Sequence, residues 1–425
     1  MYEILSGSSN QLALALSRSF SWMSSSLPSS ASISSSLKRL RTGTLYPPVD
    51  LIWTSHPSWP FSDSNSNANS GKQKLRISVL DSSFNPPTLA HFALANAAAP
   101  VLFDSDDSSC EDTDGNSNQS RSIDYDAKLL LLSVRNADKQ LKPTDATYVQ
   151  RVEMIIEFAK DLQDARNADV GRSVRDDVDA NRNVGDERTG DDMDPGIAVA
   201  IIDEPTFVGK SRMLQDFFRK RFQVGLPDPG KSEPSASTTR TLPSSSTVPT
   251  IQLTFLLGYD TLERLFALRY YDNLEENMYQ ALQGFFGLPT LTSNTNKVGD
   301  GSVVVCARRS PSSYPHSSLP PPNTSTTRSA STNSDLDSSN EASQSLTKTI
   351  SSFLESSSLP ASSITMIDIG EDAWKISSSE VREGVKRNST GKDNAGQSKV
   401  VASGEWNSMV SERVRRYIVE HGLYL

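Results

Sequence analysis

Short apolar runs separated by long polar tracts set the rhythm of this chain. Six runs read as strands: Leu75–Leu80, Ala127–Val134, Ile197–Ile202, Ile251–Leu257, Ser302–Ala307 and Ile364–Ile369. Each is nearly unbroken rather than alternating, the pattern of a strand buried on both faces in a parallel sheet. Helical periods fall between them. Thr147–Leu162 repeats apolar residues at Val149, Val152, Ile155, Ile156 and Ala159. Further helices are expected from the exit Asp203–Lys210 through Arg221, beyond Leu262, around Leu346–Glu355, and from Trp406 to His421. Alternating strands and helices predict an α/β fold, a Rossmann-like parallel sheet with helices on both faces.

The polar tracts divide this pattern. Residues 1–71 read as a helix near Asn10–Met23 followed by a Ser/Pro-rich linker. Residues 72–425 read as one domain interrupted by low-complexity loops at about 104–124, 163–195, 225–249, 310–344 and 387–402. Such loops bury too little to offset their ordering entropy and are expected to be disordered. They explain why a chain of 425 residues has only 36% hydrophobic residues and a mean hydropathy of −0.43. A net charge of −9 argues against bulk nucleic-acid or anionic-membrane binding. No apolar run reaches transmembrane length, and cytoplasmic or nuclear residence is expected; oligomeric state is not legible. Of the two cysteines, Cys110 lies in an acidic loop and Cys306 in a strand, so neither a disulfide framework nor a zinc site is implied. The acids around Cys110 match no calcium-loop spacing, and no protein-held metal is expected.

Candidate chemistry concentrates after the first run. Asp81-Ser82-Ser83 ends the strand, Pro86-Pro87 forbid immediate regular structure, and Thr88 caps a helix carrying His91 one turn in. Strand, polar loop and helix start together form an anion site. Lys139 and Lys142 precede the helix that bears Arg151, where cations suit phosphates. Gly258 permits close backbone approach, and Asp260 can accept from ribose hydroxyls or cap a helix. Later, Lys375-Ile376-Ser377-Ser378-Ser379-Glu380-Val381-Arg382 sets a serine cluster at a helix start with an arginine one turn on. Hydroxyls, amides and a guanidinium can there serve one phosphate chain.

The stretch Ser82-Ser83-Phe84-Asn85-Pro86 with Thr88-Leu89-Ala90-His91 resembles the first signature of the nucleotidyltransferase superfamily, Gly-[Ser/Thr]-Phe-[Asp/Asn]-Pro followed by [His/Thr]-x-x-His. Ser82 stands where the family has glycine, and must turn its side chain away from a phosphate. Residues 375–382 resemble the second signature, Ile-Ser-Ser-Thr-x-[Ile/Val]-Arg, with Ser379 for the threonine. Within the superfamily the chain is most similar to nicotinamide mononucleotide adenylyltransferases of a divergent fungal branch.

That resemblance implies condensation of ATP with nicotinamide mononucleotide to NAD and pyrophosphate, with Mg²⁺ accompanying ATP. It implies ATP contacts from Ser82, Ser83, Phe84, Thr88, His91, Gly258, Asp260, Ser378, Ser379 and Arg382, with His91 and Arg382 catalytic. It places Lys142, Phe207 and Tyr271 on the mononucleotide. Other readings stay open: another phosphate acceptor, a plain ATPase, or a catalytically degenerate regulatory or interaction protein of the same fold.

Overall fold

The computed structural model describes residues 27–61, 74–99, 125–135, 142–176, 196–224, 249–287, 299–308, 337–390 and 404–425. The expected helix near Asn10–Met23, the acidic loop with Cys110, and Lys139 lie outside the described residues. Among those described, the elements run α1 (Ser30–Arg41), β1 (Val49–Thr54), β2 (Lys74–Asp81), α2 (Leu89–Ala95), β3 (Ala127–Ser133), α3 (Tyr148–Asp176), β4 (Gly196–Ile202) and α4 (Phe207–Val224). They continue with β5 (Thr250–Gly258), α5 (Tyr259–Leu265), α6 (Glu275–Phe286), β6 (Val303–Ala307), α7 (Asp337–Ser356), β7 (Ile364–Ile367), α8 (Glu371–Trp374), α9 (Ser378–Thr390) and α10 (Glu412–Glu420).

The seven strands form one sheet in the order β1-β4-β3-β2-β5-β6-β7. Every pairing is parallel except that of β1 with β4. Counted from β2, the parallel strands stand in the doubly wound order 3-2-1-4-5-6. Successive residues of a strand feed opposite faces. Leu130 and Leu132 join a core with Val152, Ile155 and Phe158 of α3 and Ile418 of α10. Leu129 and Leu131 join the other, with Phe218 of α4, Phe285 of α6 and Phe353 of α7. Helices thus cover both faces, as the unbroken apolar runs require.

The linker expected before residue 71 gives way, from residue 27 to 61, to integral structure. The Ser29 side chain accepts the Ser32 amide at the start of α1, which buries Ile33, Leu37 and Leu40 on one face. β1 then lies along β4 in antiparallel register, Val49 opposite Ile202 and Thr54 opposite Ala198. Trp59 is fully buried against Phe218, and its indole N–H donates to the Gly196 carbonyl at 3.0 Å. Trp59→Phe leaves that buried carbonyl without its donor and should destabilise the fold by about 1–3 kcal/mol. Urea denaturation reads this directly; an unchanged midpoint would detach the segment from the domain.

Three other expected boundaries move. α3 continues to Asp176, beyond Leu162 and into the stretch read as an insertion. α7 starts at Asp337, inside the low-complexity tract that ends near 344, and α9 runs to Thr390, past 387. The final helix is shorter than expected. A 3₁₀ turn, Glu405–Met409, precedes α10 and buries Trp406. No described helix is long and apolar enough to cross a membrane.

Candidate functional site

Strand order reverses between β2 and β5, and open α/β sheets bind ligands beyond the carboxyl ends of strands at such a point. A crevice lies there. It has two lobes of about 190 and 210 Å³, which meet at Asp81 and Ser82, ending β2, and Asp260 and Thr261, opening α5. The smaller lobe is walled by His91 of α2, Gly258, Arg308, Trp374 and the Ser377-Ser378 start of α9. The larger is walled by Ser83, Arg135, Phe207, Lys210, Arg264, Tyr270 and Tyr271.

His91 is fixed on both ring nitrogens. Nδ1 accepts the Thr88 backbone N–H at 3.0 Å and faces the Thr88 hydroxyl at 2.8 Å; its Nε2 lies 2.8 Å from the Ser82 hydroxyl. An amide N–H only donates, so Nδ1 is the acceptor. In the neutral ring the proton then sits on Nε2, which donates to Ser82 Oγ. Burial holds the imidazole neutral, lowering its pKa to about 4. His91 therefore offers the crevice a permanent N–H donor without a formal charge.

The loop between Ser82 and Thr88 is held from beneath. Phe84 has φ +43°, a conformation unfavourable for a side-chain-bearing residue, and its fully buried ring packs on His91 and Phe158 at 5.3 and 6.4 Å. Asn85 donates from Nδ2 to Asp145 at 2.9 Å, and its Oδ1 accepts the Tyr424 hydroxyl at 2.9 Å. Arg382 donates to the Asn85 carbonyl at 2.6 Å and the Ser378 carbonyl at 3.2 Å, and from Nη2 to Ser379 Oγ at 3.1 Å. Arg151 donates to the Ala146 carbonyl at 2.9 Å and lies 3.6 Å from Asp145. Burial alone would raise the Asp145 carboxyl. The Lys142 backbone amide, the Asn85 amide and the Arg151 and Arg382 guanidinium groups outweigh it and hold the pKa below its ordinary value.

The expected site residues divide accordingly. Ser82, Ser83, His91, Gly258, Asp260, Ser378, Phe207 and Tyr271 all line the crevice. Thr88 is fully buried and acts on His91. Phe84 lies in the core with its ring fully buried. Arg382 and Ser379 line neither lobe; the guanidinium holds the loop through the Asn85 carbonyl. Lys142 is exposed and lines neither lobe, and what it supplies is its backbone amide, to Asp145 at 3.0 Å. Tyr271 donates its hydroxyl to the Leu265 carbonyl at 2.7 Å, leaving it above the usual phenol range through burial.

Sequence reading passed over the floor of the larger lobe. Lys210 Nζ lies 2.5 Å from Asp81 Oδ2 and 4.7 Å from the centre of the Phe207 ring, with side-chain exposures of 6% for Lys210 and 4% for Asp81. The available signal was slight: a lysine in the first turn of a helix that also carries Arg212, Arg219, Lys220 and Arg221, and an aspartate closing a largely apolar strand. It also passed over Trp374, whose buried indole N–H has no hydrogen-bond partner among the described residues. Cys306 is buried, which pushes its thiol up to about 12, so it packs rather than reacts. Among the described residues no group of three His, Cys, Asp or Glu side chains could hold a metal ion.

The strand order defines a Rossmann-like α/β architecture with a crevice at its switch point. No protein-family model matches the chain, and no curated protein matches it. Among solved structures it aligns with Plasmodium falciparum nicotinic acid mononucleotide adenylyltransferase complexed with NaAD, at a TM-score of 0.33 and 11% identity, over 82% of this chain and 97% of that one. The same enzyme complexed with APC aligns at a TM-score of 0.31, again at 11% identity over 82% and 97% of the two chains. A likeness at this level assigns no family.

Proposed function

We propose that this protein is a nucleotidyltransferase that condenses ATP with nicotinamide mononucleotide, giving NAD and pyrophosphate. The observation that carries the reading is the pair of lobes meeting at Asp81 and Ser82, with the His91 donor beside the junction. Two nucleotides laid end to end along such a crevice bring their phosphates together at its middle. The smaller lobe suits ATP: it has the His91 donor and the serine-rich start of α9. The larger suits the mononucleotide, with Phe207 and Tyr271 as flat surfaces and Arg135 and Lys210 as cations.

The acceptor in this reaction is already an anionic phosphate, so no general base or covalent nucleophile is required. One of its oxygens forms a bond to the α-phosphorus of ATP as the bond to the bridging oxygen breaks and pyrophosphate leaves. The protein contributes alignment and stabilisation of charge on the α-phosphate oxygens. Nε2–H of His91 serves the second purpose, and the buried Thr88 contacts keep it aimed. Mg²⁺ would arrive on the triphosphate. Asp81, the carboxylate at the junction, is already neutralised by Lys210, which fits a metal carried by the nucleotide rather than by a protein cage.

The test uses purified protein with Mg-ATP and nicotinamide mononucleotide, products being separated by chromatography. NAD formed in step with pyrophosphate is the expected result. ADP and phosphate without NAD would replace the reading with ATP hydrolysis. No product together with no stabilisation by Mg-ATP in a thermal melt would leave only a scaffold.

A further inference from the structure

We infer that Ser82 tunes nucleotide affinity by competing with a phosphate oxygen for the Nε2–H of His91. The inference rests on the nucleotide reading above and adds a role that neither signature motif contains. Ser82 is the residue common to both lobes and to the His91 contact. Its backbone is not in the left-handed region, unlike Phe84 two positions on, so serine here needs no glycine-like conformation. The side chain has instead turned onto the imidazole, at 2.8 Å.

The hydrogen-bond directions decide what this pair does. A serine hydroxyl beside histidine suggests a nucleophile and its base, but the base would need a lone pair on Nε2. Both Thr88 groups face Nδ1, and the amide among them can only donate. Nε2 therefore carries the proton, and Ser82 Oγ is an acceptor rather than an activated nucleophile. One N–H supports one short, straight hydrogen bond. A phosphate oxygen that takes it displaces the hydroxyl, which rotates about χ1 to another staggered position. The charged acceptor wins this exchange because charge-assisted hydrogen bonds are about twice as strong as neutral ones. The gain on binding is still reduced by the bond given up.

Removing the hydroxyl should therefore tighten binding. Calorimetric titration of the full chain with Mg²⁺ and a non-hydrolysable ATP analogue is expected to give a Kd about threefold to tenfold lower for Ser82→Ala than for wild type, the worth of one neutral hydrogen bond. Ser82→Thr keeps the hydroxyl and should not tighten binding; Ser82→Gly is the alternative should the alanine variant fold poorly. In parallel, ¹⁵N-edited NMR of the imidazole at neutral pH should show the protonated nitrogen of His91 as Nε2, its proton moving upfield in Ser82→Ala. Equal or weaker binding by both the alanine and glycine variants, with wild type binding normally, overturns the competition and leaves the nucleotide reading standing. Failure of wild type and variants alike to bind removes that reading, and the competition with it.

Discussion

Lys210→Ala is expected to destabilise the folded chain by about 3–5 kcal/mol, the range for removing one partner of a buried ion pair. The size follows from what remains. Asp81 is 4% exposed at the end of a central strand, and Lys210 Nζ, 2.5 Å away, is its counter-ion. Truncation leaves a carboxylate in the interior with its balancing charge gone. A paired replacement, Asp81→Asn with Lys210→Met, removes both charges and should recover most of the loss, because a buried ion pair and a neutral pair of similar volume differ little in net stability. Urea denaturation of the two single variants and the double variant completes the cycle. A single-variant loss below about 1 kcal/mol would mean that the pair is solvated. The double variant also separates architecture from recognition: it keeps the fold yet strips the larger lobe of the cation that lies over Phe207.

The second large effect concerns His91. In the proposed reaction, His91→Ala should lower turnover by about a hundredfold to a thousandfold, equivalent to roughly 2.7–4 kcal/mol of transition-state stabilisation by one preorganised donor. Gln retains an N–H near the Nε2 position, so His91→Gln should regain part of the rate. Unchanged turnover in the alanine variant would remove His91 from the site. A change in pH gives an independent signature. The folded pKa is about 4, against 6.5 for the unperturbed side chain. Between these values the unfolded chain takes up a proton that the folded chain refuses. This stability contribution is complete above 6.5 and is lost as pH falls from 6.5 toward 4. The loss amounts to at most on the order of 3 kcal/mol. His91→Gln lacks this term, so the stability difference between it and wild type should shift across that window and stay flat above pH 7. A flat difference throughout would mean that the ring titrates normally. The same low pKa predicts that the protonation of His91 does not shape the rate profile above about pH 5.

What was legible in the sequence and what was not follows from the range of the interactions. β4 is apolar residue by residue, and β3 nearly so, because neighbours and helices cover both sides, and that signal is local. β1 carries Asp50 and follows two prolines, and its partner Ile202 lies far along the chain, so only tertiary pairing reveals it. α1 hides the spacing of Ile33, Leu37 and Leu40 among serines that read as low complexity. The crevice behaves alike. The turn that carries His91 and the serines that open α9 are written in short motifs, and the fold brings them to one cavity. The Lys210–Asp81 pair joins two elements and leaves no motif. Motif position does not tell which way a residue faces: Phe84 lies in the signature stretch with its ring in the core, and Arg382 divides its donors between the Asn85 carbonyl of the loop and Ser378 and Ser379 of its own helix.

β1 has a consequence for the solution behaviour of shorter forms of the chain. It covers the outer edge of β4, a strand whose seven residues are all buried. Without residues 49–54, that strand would present a row of unpaired amides and carbonyls flanked by Ile and Val side chains, a template for pairing with another molecule. The serine-rich head of the protein is thus a guard against self-association: trimming it as dispensable would turn a protected central strand into an adhesive border, although every residue lining the crevice would still be present.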